Sequence, residues 1–445
     1  MPDEVLSLIF ESGHRMSTSW TFAKSISQVS HRFRGVSLNT PLLWTRIFCW
    51  YKKDQIETFI RRSGRKDLII TTDSMDFYQS LPRLSSGGRS PKIKPFLRAL
   101  KNCTDRWSHI ETIESYSSLP IAVMEELNMV DFPRLQSISS LEGSRALSKW
   151  KLPSLSHVGG VSTYFRPEFP FLGQLTSFTL HPGEDRLKRI ECLTETLYSM
   201  KSLRHFSITL RGCCQDWGYT HEDTDWDGTV VPDRKGLILD PHSVPIDLLQ
   251  IHIEPPADLI VLRKTFESLL FLSPSTQEVY LETSGRNSYA AEDFLLNRSH
   301  EMVLYGSTIS LQIVTNRAQL PSEDFPVLTE LVTGCKIVDS VRLETSMSDI
   351  IHEEDPVEDF SNLHHLTLQH CHKLTEADVQ LLVQKLMGNA DPAMGLKLLE
   401  LISCRQLSEE FLLDLGDEFG TRVKWKVWGS GTSITSQFQQ FLIGG

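Results

Sequence analysis

The chain has 445 residues, of which 40% are hydrophobic and 23% are charged, and its formal net charge is −11. This length allows a sizeable core and more than one structural unit, and the composition is ordinary for a globular protein. No run of eighteen apolar residues occurs, which argues against a transmembrane helix. The start lacks the basic and then apolar segments of a secretory signal peptide.

The charge is unevenly distributed along the chain. Through Lys66 there are eleven basic and five acidic residues, a net charge of +6, so the remainder carries −17. An acidic body argues against binding to a nucleic-acid backbone, which requires clustered Lys and Arg. It weakly favours a basic protein partner.

The eight cysteines are scattered and form no Cys-x-x-Cys pair. This spacing indicates neither a zinc ribbon nor a disulfide scaffold. A reducing cytoplasmic or nuclear location is the simplest interpretation. We expect no metal and no cofactor.

The first fifty residues predict a cluster of short amphipathic helices. Apolar residues fall at helical spacing in two segments, and these are Val5, Leu6, Ile9 and Phe10, then Ile26, Val29, Phe33 and Val36. Pro2 suits a first helical turn, and Pro41 begins a further apolar turn that includes Trp44. So short a segment buries too little apolar surface for a comfortable independent fold. We therefore expect a module over 1–50 that depends on a partner, with an ordinary helical cap on a larger domain as the alternative.

The same module resembles a known family. Three segments match the F-box pattern in order, and its fungal F-box-like variety fits best: Pro2-Asp-Glu-Val-Leu-Ser-Leu-Ile-Phe10, Val29-Ser-His-Arg-Phe-Arg34 and Thr40-Pro-Leu-Leu-Trp44. The resemblance covers about Met1–Ile47, with Met1 where the family usually has leucine. It implies helices that dock on the Skp-type adaptor of a cullin–RING ubiquitin ligase. The residues predicted to contact the adaptor, or to support that contact, are Pro2, Leu6, Ile9, Phe10, Val29, Phe33, Leu42 and Trp44.

A connecting segment over 51–125 follows the module. Lys52–Arg65 has the pattern of a helix, and Ile69 and Thr71 indicate a strand. Ser80–Pro95 is rich in Ser, Gly and Pro, which predicts a loose loop. The first degenerate repeats are also expected in this segment.

The clearest internal repeat lies near the C-terminus. Leu363-x-x-Leu366-x-Leu368-x-x-Cys371-x-x-Leu374 recurs, with every position displaced equally, as Leu396-x-x-Leu399-x-Leu401-x-x-Cys404-x-x-Leu407. This is the leucine-rich-repeat pattern: leucines on either side of one exposed position form a short strand, and the cysteine turns the chain while staying buried. Glu376–Met387 then returns as a helix, because its apolar residues share one face.

Weaker copies precede this pair at irregular spacing. They begin at Leu135, Leu155, Leu175 and Leu203, so the first two steps are equal and the third is longer. The degenerate candidates are Val279-x-Leu281, Ile309-x-Leu311 and Leu328-x-x-Leu331, for which scattered leucines are an equally good explanation. We predict an α/β fold: the helical module, then an irregular leucine-rich-repeat solenoid over 126–425 and a tail over 426–445. Short parallel strands would form its concave face, and helices or loops its convex face.

An inserted loop is predicted over about 212–245, where the repeat signature is absent. Asp223-x-Asp225-x-Asp227-Gly228 begins there like an EF-hand, but the twelfth position is Arg234 and Pro232 obstructs the exiting helix. An acidic loop is the better interpretation.

Two other motifs resemble ligand sites only by composition. Ser85-Ser-Gly-Gly-Arg-Ser90 lacks the Gly-Lys-Ser/Thr end of a P-loop. His364, His365, His370, Cys371 and His372 are rich in metal-binding groups, yet the repeat register sends them in different directions. No catalytic motif occurs elsewhere, so we expect a protein that is not an enzyme.

The residues between the buried strand leucines form a second candidate surface. They must point to the opposite, concave side of the sheet, and the row is small, polar and little charged. Solvated strand residues without a partner are the alternative interpretation. The predicted target-binding residues are Ser177, Thr179, His181, His205, Ser207, Thr209, His365, Thr367, Gln369 and Glu400.

These features predict a substrate-recognition subunit of a cullin–RING ubiquitin ligase. The N-terminal helices would bind the Skp-type adaptor, and the repeat domain would hold an unknown protein target, with no nucleic-acid or membrane partner. One alternative is a scaffold that uses the same module outside a ligase, which predicts adaptor binding without a cullin. The other is an enzyme with a site in 212–245, which predicts an activity lost with that segment.

Overall fold

A computed structural model of the chain describes residues 1–17, 21–72, 93–111, 119–139, 146–161, 169–181, 190, 193–213, 240–257, 259–283, 295, 303–315, 327–345, 350–351, 360–387 and 395–426. Eleven α-helices and fourteen β-strands lie within these residues. The strands follow one another through a parallel sheet in the order of the chain. The α/β class predicted from the sequence is therefore confirmed.

Helices begin the chain, as the apolar spacing predicted. They are α1 (Asp3–Met16), α2 (Phe22–Ser27), α3 (His31–Leu38) and a 3-10 turn at Pro41–Trp44. Helix α1 has two acidic residues in its first turn and Arg15 in its last, the order that the helix dipole favours. Ser30 caps α3 by accepting a hydrogen bond from the backbone N–H of Phe33 at 3.1 Å.

The first compact unit comprises 1–250 and 260–272. Its strands are β1 (Arg46–Phe48), β2 (Leu68–Thr71), β3 (Trp107–Glu111), β4 (Ser137–Ser139), β5 (His157–Val161), β6 (Ser177–His181) and β7 (His205–Cys213). Its further helices are α4 (Lys53–Arg62), α5 (Ile93–Leu100), α6 (Leu119–Glu126) and α7 (Leu193–Ser199). The boundary between the units divides β8 (Val244–Ala257) and α8 (Leu259–Leu269).

The second compact unit comprises 251–259 and 273–445. Its strands are β9 (Leu272–Thr283), β10 (Thr308–Thr315), β11 (Ser340–Thr345), β12 (His365–Gln369), β13 (Leu398–Ile402) and β14 (Val423–Lys426). Its helices are α9 (Val327–Gly334), α10 (Glu376–Met387) and α11 (Glu409–Phe419). Each pair of successive strands from β9 to β14 is parallel.

An apolar row of register partners forms the core side of the sheet in each unit. In the first unit the row contains Ile47, Ile70, Ile110, Ile138, Val158, Phe178 and Phe206. In the second unit it contains Val279, Leu311, Leu343, Leu368 and Leu401. All of these side chains are buried, so alternate strand positions pack against the core.

The strand register reproduces the repeat spacing read from the sequence. Leu368 pairs with Leu401 across the long repeat that begins at Leu363, and Ile138 pairs with Val158 across a short one. The long repeat holds α10, whose bounds are those predicted. Within the described residues, the short repeats that begin at Leu135 and Leu155 hold only the 3-10 segments Ala146–Lys149 and Leu172–Gln174. Repeat length therefore decides whether a full helix fits behind the strand.

Several predicted boundaries were wrong. Leu328 and Leu331 lie in helix α9 rather than in a strand, and the strand of that repeat is β11, further along the chain. Pro95 belongs to α5 rather than to a loop, and the helix predicted over Lys52–Arg65 is the shorter α4. The predicted insertion overlaps β7 and β8 at its two ends.

The start of the sheet lies close to the predicted division at residue 50. Strand β1 begins at Arg46 and pairs with β2, so the sheet starts inside the predicted helical module. The helical cluster and the first strand therefore share one compact unit.

Candidate functional site

Helix α1 carries two apolar stripes that face in different directions. Leu6, Phe10 and His14 are 2%, 3% and 5% exposed and form the inner stripe. The outer stripe, which we call the α1 ridge, contains Val5, Leu8, Ile9 and Met16. At about 100° per residue these positions lie on roughly opposite sides of a helix. A helix that buries one apolar stripe and exposes a second one has a surface suited to a partner.

The inner stripe is held by contacts inside the helical cluster. The Phe10 ring packs on Phe33 with centroids 5.1 Å apart. Ser7 Oγ and Thr40 Oγ1 are 2.9 Å apart in a hydrogen bond. These contacts fix the rotation of α1 about its axis, so they decide which stripe faces solvent.

Trp44 joins the helical cluster to the following helix. Its indole N–H donates to the Ser37 carbonyl at 2.9 Å, and its ring meets Phe59 of α4 edge-on at 5.0 Å. The Arg62 guanidinium lies over the same ring at 4.6 Å, a cation–π contact. Trp44 is 3% exposed, so its side chain packs inside the cluster.

The eight residues predicted for adaptor binding divide into three groups. Leu6, Phe10 and Trp44 are buried and Phe33 and Leu42 are half-buried, whereas the exposed ones are Pro2, Ile9 and Val29. The sequence prediction did not separate contact from support, and the structure shows which of these side chains are buried within the chain. The sequence prediction did not include Leu8 and Met16. Leu8 lies one helical turn after Val5, and Met16 lies two turns after Ile9, so the spacing signals a second stripe.

Two basic groups are desolvated beneath the α1 ridge. His14 has no hydrogen-bond partner on either ring nitrogen, and burial, with a smaller contribution from Arg46, lowers its pKa to about 4. Burial also lowers the pKa of Arg46, whose guanidinium donates to the Ser17 carbonyl. At neutral pH His14 is uncharged, which suits its apolar surroundings.

The polar face of the first unit's sheet alternates imidazoles with small hydroxyl groups. One row of register partners there contains His109, Ser137, His157, Ser177 and His205. His157 Nδ1 lies 3.0 Å from Ser177 Oγ. Burial lowers the pKa of both His109 and His157, so these two imidazoles are neutral near pH 7 and offer hydrogen bonds rather than charge.

The polar face of the second unit's sheet is charged instead. One row of register partners there contains Glu278, Ser310, Arg342, Thr367, Glu400 and Lys424. Thr367 Oγ1 donates to Glu400 Oε2 at 3.2 Å, and Arg342 donates to Gln369 Oε1. The row that we predicted from the sequence as little charged therefore stands beside Arg342 and Lys424 in the second unit.

The ten predicted target-binding residues all lie on strands. His205 and His365 are exposed, and Ser207 is buried; the half-buried ones are Ser177, Thr179, His181, Thr209, Thr367, Gln369 and Glu400. Ser207 lies beside Thr179 in the register and its Oγ has no hydrogen-bond partner. Sequence reasoning missed Arg342 and Lys424, because their strands were degenerate or unrecognised as repeats.

The histidine-rich segment follows the repeat geometry. Cys371 is buried, His365 is exposed on β12, and His370 and His372 lie in the turn with ring centroids 5.8 Å apart. No group of three or more potential metal ligands occurs among the residues that the structure describes. The EF-hand-like Asp223–Gly228 and the glycine loop at Ser85–Ser90 lie outside the described residues, as does most of 212–245.

Comparison of the chain with models of protein families finds no match, and comparison with curated proteins finds none either. Within the described part of the chain, no helix has both the length and the apolar character needed to cross a bilayer.

Proposed function

We propose that this protein is a non-catalytic substrate receptor of a cullin–RING ubiquitin ligase. Its N-terminal helices bind a Skp-type adaptor, and the polar face of its parallel sheet binds a protein target, in the cytoplasm or nucleus. The mechanism is proximity, since tethering raises the local concentration of target lysines near the ubiquitin-transfer machinery. No step requires a catalytic side chain, a cofactor or a metal from this chain.

The observation that carries the proposal is the α1 ridge. Leu8 and Ile9 are 66% and 52% exposed within a cluster whose other apolar stripe is packed. Burying each such side chain at an interface stabilises a complex by about 1.5–3 kcal/mol. The ridge lies in the segment that resembles an F-box, so one surface is supported by two independent lines of reasoning.

The target surface rests on the strand register. Side chains on the polar face stand in rows across successive parallel strands, about 4.8 Å apart. Rows of hydroxyl, imidazole and charged groups give a partner many hydrogen-bonding positions in fixed geometry. The two units offer neutral and charged rows respectively, which suits recognition of a protein segment rather than a small molecule.

Adaptor binding is tested with the full chain and a purified Skp-type adaptor. We expect the double substitution Leu8→Asp and Ile9→Asp to weaken binding by at least about tenfold, because two interface side chains become charged. Leu413→Asp is the matched control, since Leu413 is also an apolar helix residue and is 52% exposed like Ile9. It should bind the adaptor like the parent, and circular dichroism should show both variants folded.

The outcome that defeats adaptor docking is a parent chain that does not bind, or a ridge variant that binds undiminished. Immunoprecipitation of the cullin then separates a ligase subunit from a scaffold outside a ligase. Recovery of the cullin with the parent and its loss with the ridge variant support the ligase. Adaptor without cullin supports the scaffold.

A further inference from the structure

Two free cysteines occupy the same position in neighbouring repeats of the second unit. Cys371 and Cys404 each follow a core leucine at the same short spacing, and those leucines, Leu368 and Leu401, are register partners on β12 and β13. Equivalent positions on adjacent parallel strands lie about 4.8 Å apart. Disulfides span Cα distances of about 4.4–6.8 Å, so the repeat spacing falls within the range.

The turns that lead to the two cysteines are also equivalent. His370 has φ 52° and Ser403 has φ 57°, so each repeat leaves its strand through a left-handed residue immediately before the cysteine. Left-handed backbone is uncommon outside glycine, and its recurrence at the matching position of the next repeat shows that the two turns share one geometry. The cysteines therefore stand one above the other beyond the ends of β12 and β13.

Both thiols point along the stack in the same direction. Cys371 Sγ lies 3.6 Å from the Leu343 carbonyl, and Cys404 Sγ lies 3.5 Å from the Leu368 carbonyl. Leu343 and Leu368 are themselves register partners. The sulfur of Cys404 thus extends over the strand that precedes Cys371, towards the repeat that carries Cys371.

We propose that Cys371 and Cys404 are a modification site that forms an intramolecular disulfide when the protein is exposed to hydrogen peroxide. Cys404 is half-buried and Cys371 is fully buried, so the oxidant reaches Cys404 first. A hydrogen bond from Cys371 lowers the pKa of Cys404, whereas the contact with Cys404 and burial raise the pKa of Cys371. Cys404 is accordingly the attacking thiolate, the form that reacts with peroxides.

The reaction proceeds in two balanced steps. The Cys404 thiolate attacks one peroxide oxygen, an S–O bond forms, the O–O bond breaks, and the released hydroxide takes a proton to become water. Cys371 then loses its proton and attacks the sulfenic sulfur of Cys404. An S–S bond forms, the S–O bond breaks and a second water leaves. Two thiols are oxidised and one peroxide is reduced, and the closed loop contains helix α10. This chemistry does not depend on adaptor binding.

Peptide mass spectrometry of the full chain tests the site. The protein is treated with hydrogen peroxide near stoichiometric concentration, alkylated, and digested without reductant. We expect a cross-linked peptide pair containing Cys371 and Cys404 that disappears on reduction. Cys335 is the matched control, because it is buried in the same unit and contacts the Gly306 carbonyl at 3.5 Å. Cys335 should carry the alkyl label and should appear in no cross-linked peptide.

Two single substitutions check the order of events. Cys371→Ser should leave Cys404 as a sulfenic acid that a dimedone probe labels, and Cys404→Ser should leave Cys371 as an unmodified thiol. The proposal is overturned if the parent yields sulfinic acid on Cys404 without a cross-link, a disulfide between two chains, or two intact thiols. Because the cross-link is read on the parent chain, a variant that fails to fold does not affect that result.

Discussion

The short repeats of the first unit and the long repeats of the second unit fill their cores in different ways. In the first unit, Phe132 packs between Trp107 and Trp150, with ring centroids 5.5 and 4.9 Å away. In the second unit, the core includes apolar side chains of α10, such as Leu382, which is fully buried. Within the described residues, large rings therefore lie where the short repeats hold only 3-10 segments.

The difference follows from chain length. The long repeat that begins at Leu363 accommodates a strand of 5 residues, the turns on either side and the 12 residues of α10. A short repeat has too few residues for such a helix. Each core side chain must therefore cover a larger part of the apolar row on the sheet. Aromatic side chains do this because each buries about 150–250 Å². Irregular spacing in the sequence therefore predicts which repeats need large rings.

The largest effect is expected from Phe132→Ala, which removes the central ring of the aromatic stack. Phe132 is 0% exposed, and truncation of a buried Phe costs about 3–5 kcal/mol in the free energy of unfolding. Urea unfolding followed by the fluorescence of the neighbouring tryptophans measures this loss. Leu382→Ala, the counterpart in the helix-filled repeat, should cost about 2–5 kcal/mol.

Leu413→Ala is the control for that pair, since an exposed apolar side chain should change stability by less than about 0.5 kcal/mol. If Phe132→Ala costs no more than this control, the aromatic stack does not support the short repeats. The contrast between ring-filled and helix-filled repeats would then be lost.

One buried group in each unit should contribute to the pH dependence of stability with the opposite sign. His14 in the first unit has its pKa lowered from 6.5 to about 4. Its neutral form is favoured by folding, so its contribution is complete above pH 6.5 and is lost as pH falls from 6.5 towards 4. The loss amounts to about 3 kcal/mol.

Burial raises the pKa of Glu344 in the second unit from 4.5, so its contribution is complete below pH 4.5 and is lost as pH rises.

Hydrogen exchange at a series of pH values separates the two units. After correction for the intrinsic pH dependence of exchange, protection of α1 should fall between pH 6.5 and about 4, and His14→Leu should remove most of that fall. Glu344→Gln should remove the opposite trend in β11 while leaving α1 unchanged. Equal slopes in α1 for the parent and His14→Leu would show that His14 does not set the acid response.

The sequence predicted the repeats because the spacing of the leucines matches the spacing of the residues that pair between strands. Leu368 and Leu401 recur at the displacement at which the strands pair, and α10 has one clear apolar face. The assignment of Leu328 and Leu331 to a strand was wrong because a spacing of three residues fits both the start of a strand and one face of a helix. Only the position of the following strand, β11, resolves that ambiguity.

The candidate surfaces were accessible only in part. Apolar spacing identified α1 but could not decide which of its two stripes is packed, because that depends on the distant partners Phe33 and Thr40. The charged row of the second unit was missed for a related reason. Arg342 lies on a strand without a leucine-rich signature, so its row became visible only through pairing with Ser310 and Thr367.

The smallest effects are expected at helical glycines, and here the two units should behave alike. A Cβ at Gly13 of α1 would lie 2.7 Å from Phe22 Cζ, and one at Gly416 of α11 would lie 2.7 Å from the Trp425 ring. Gly35 of α3 has nothing within 4 Å of that position. Alanine in a helix is favoured over glycine by about 1 kcal/mol, so Gly35→Ala should raise the free energy of unfolding by about that amount.

Overpacking costs about 1–3 kcal/mol, which outweighs this preference at the two crowded glycines. Gly13→Ala and Gly416→Ala should therefore each lower the free energy of unfolding by about 1 kcal/mol. Thermal unfolding of the three variants measures the sign. A stabilising Gly13→Ala would show that α2 does not pack against α1 through Phe22, and the rotation of α1 that exposes the ridge would lose one of its supports.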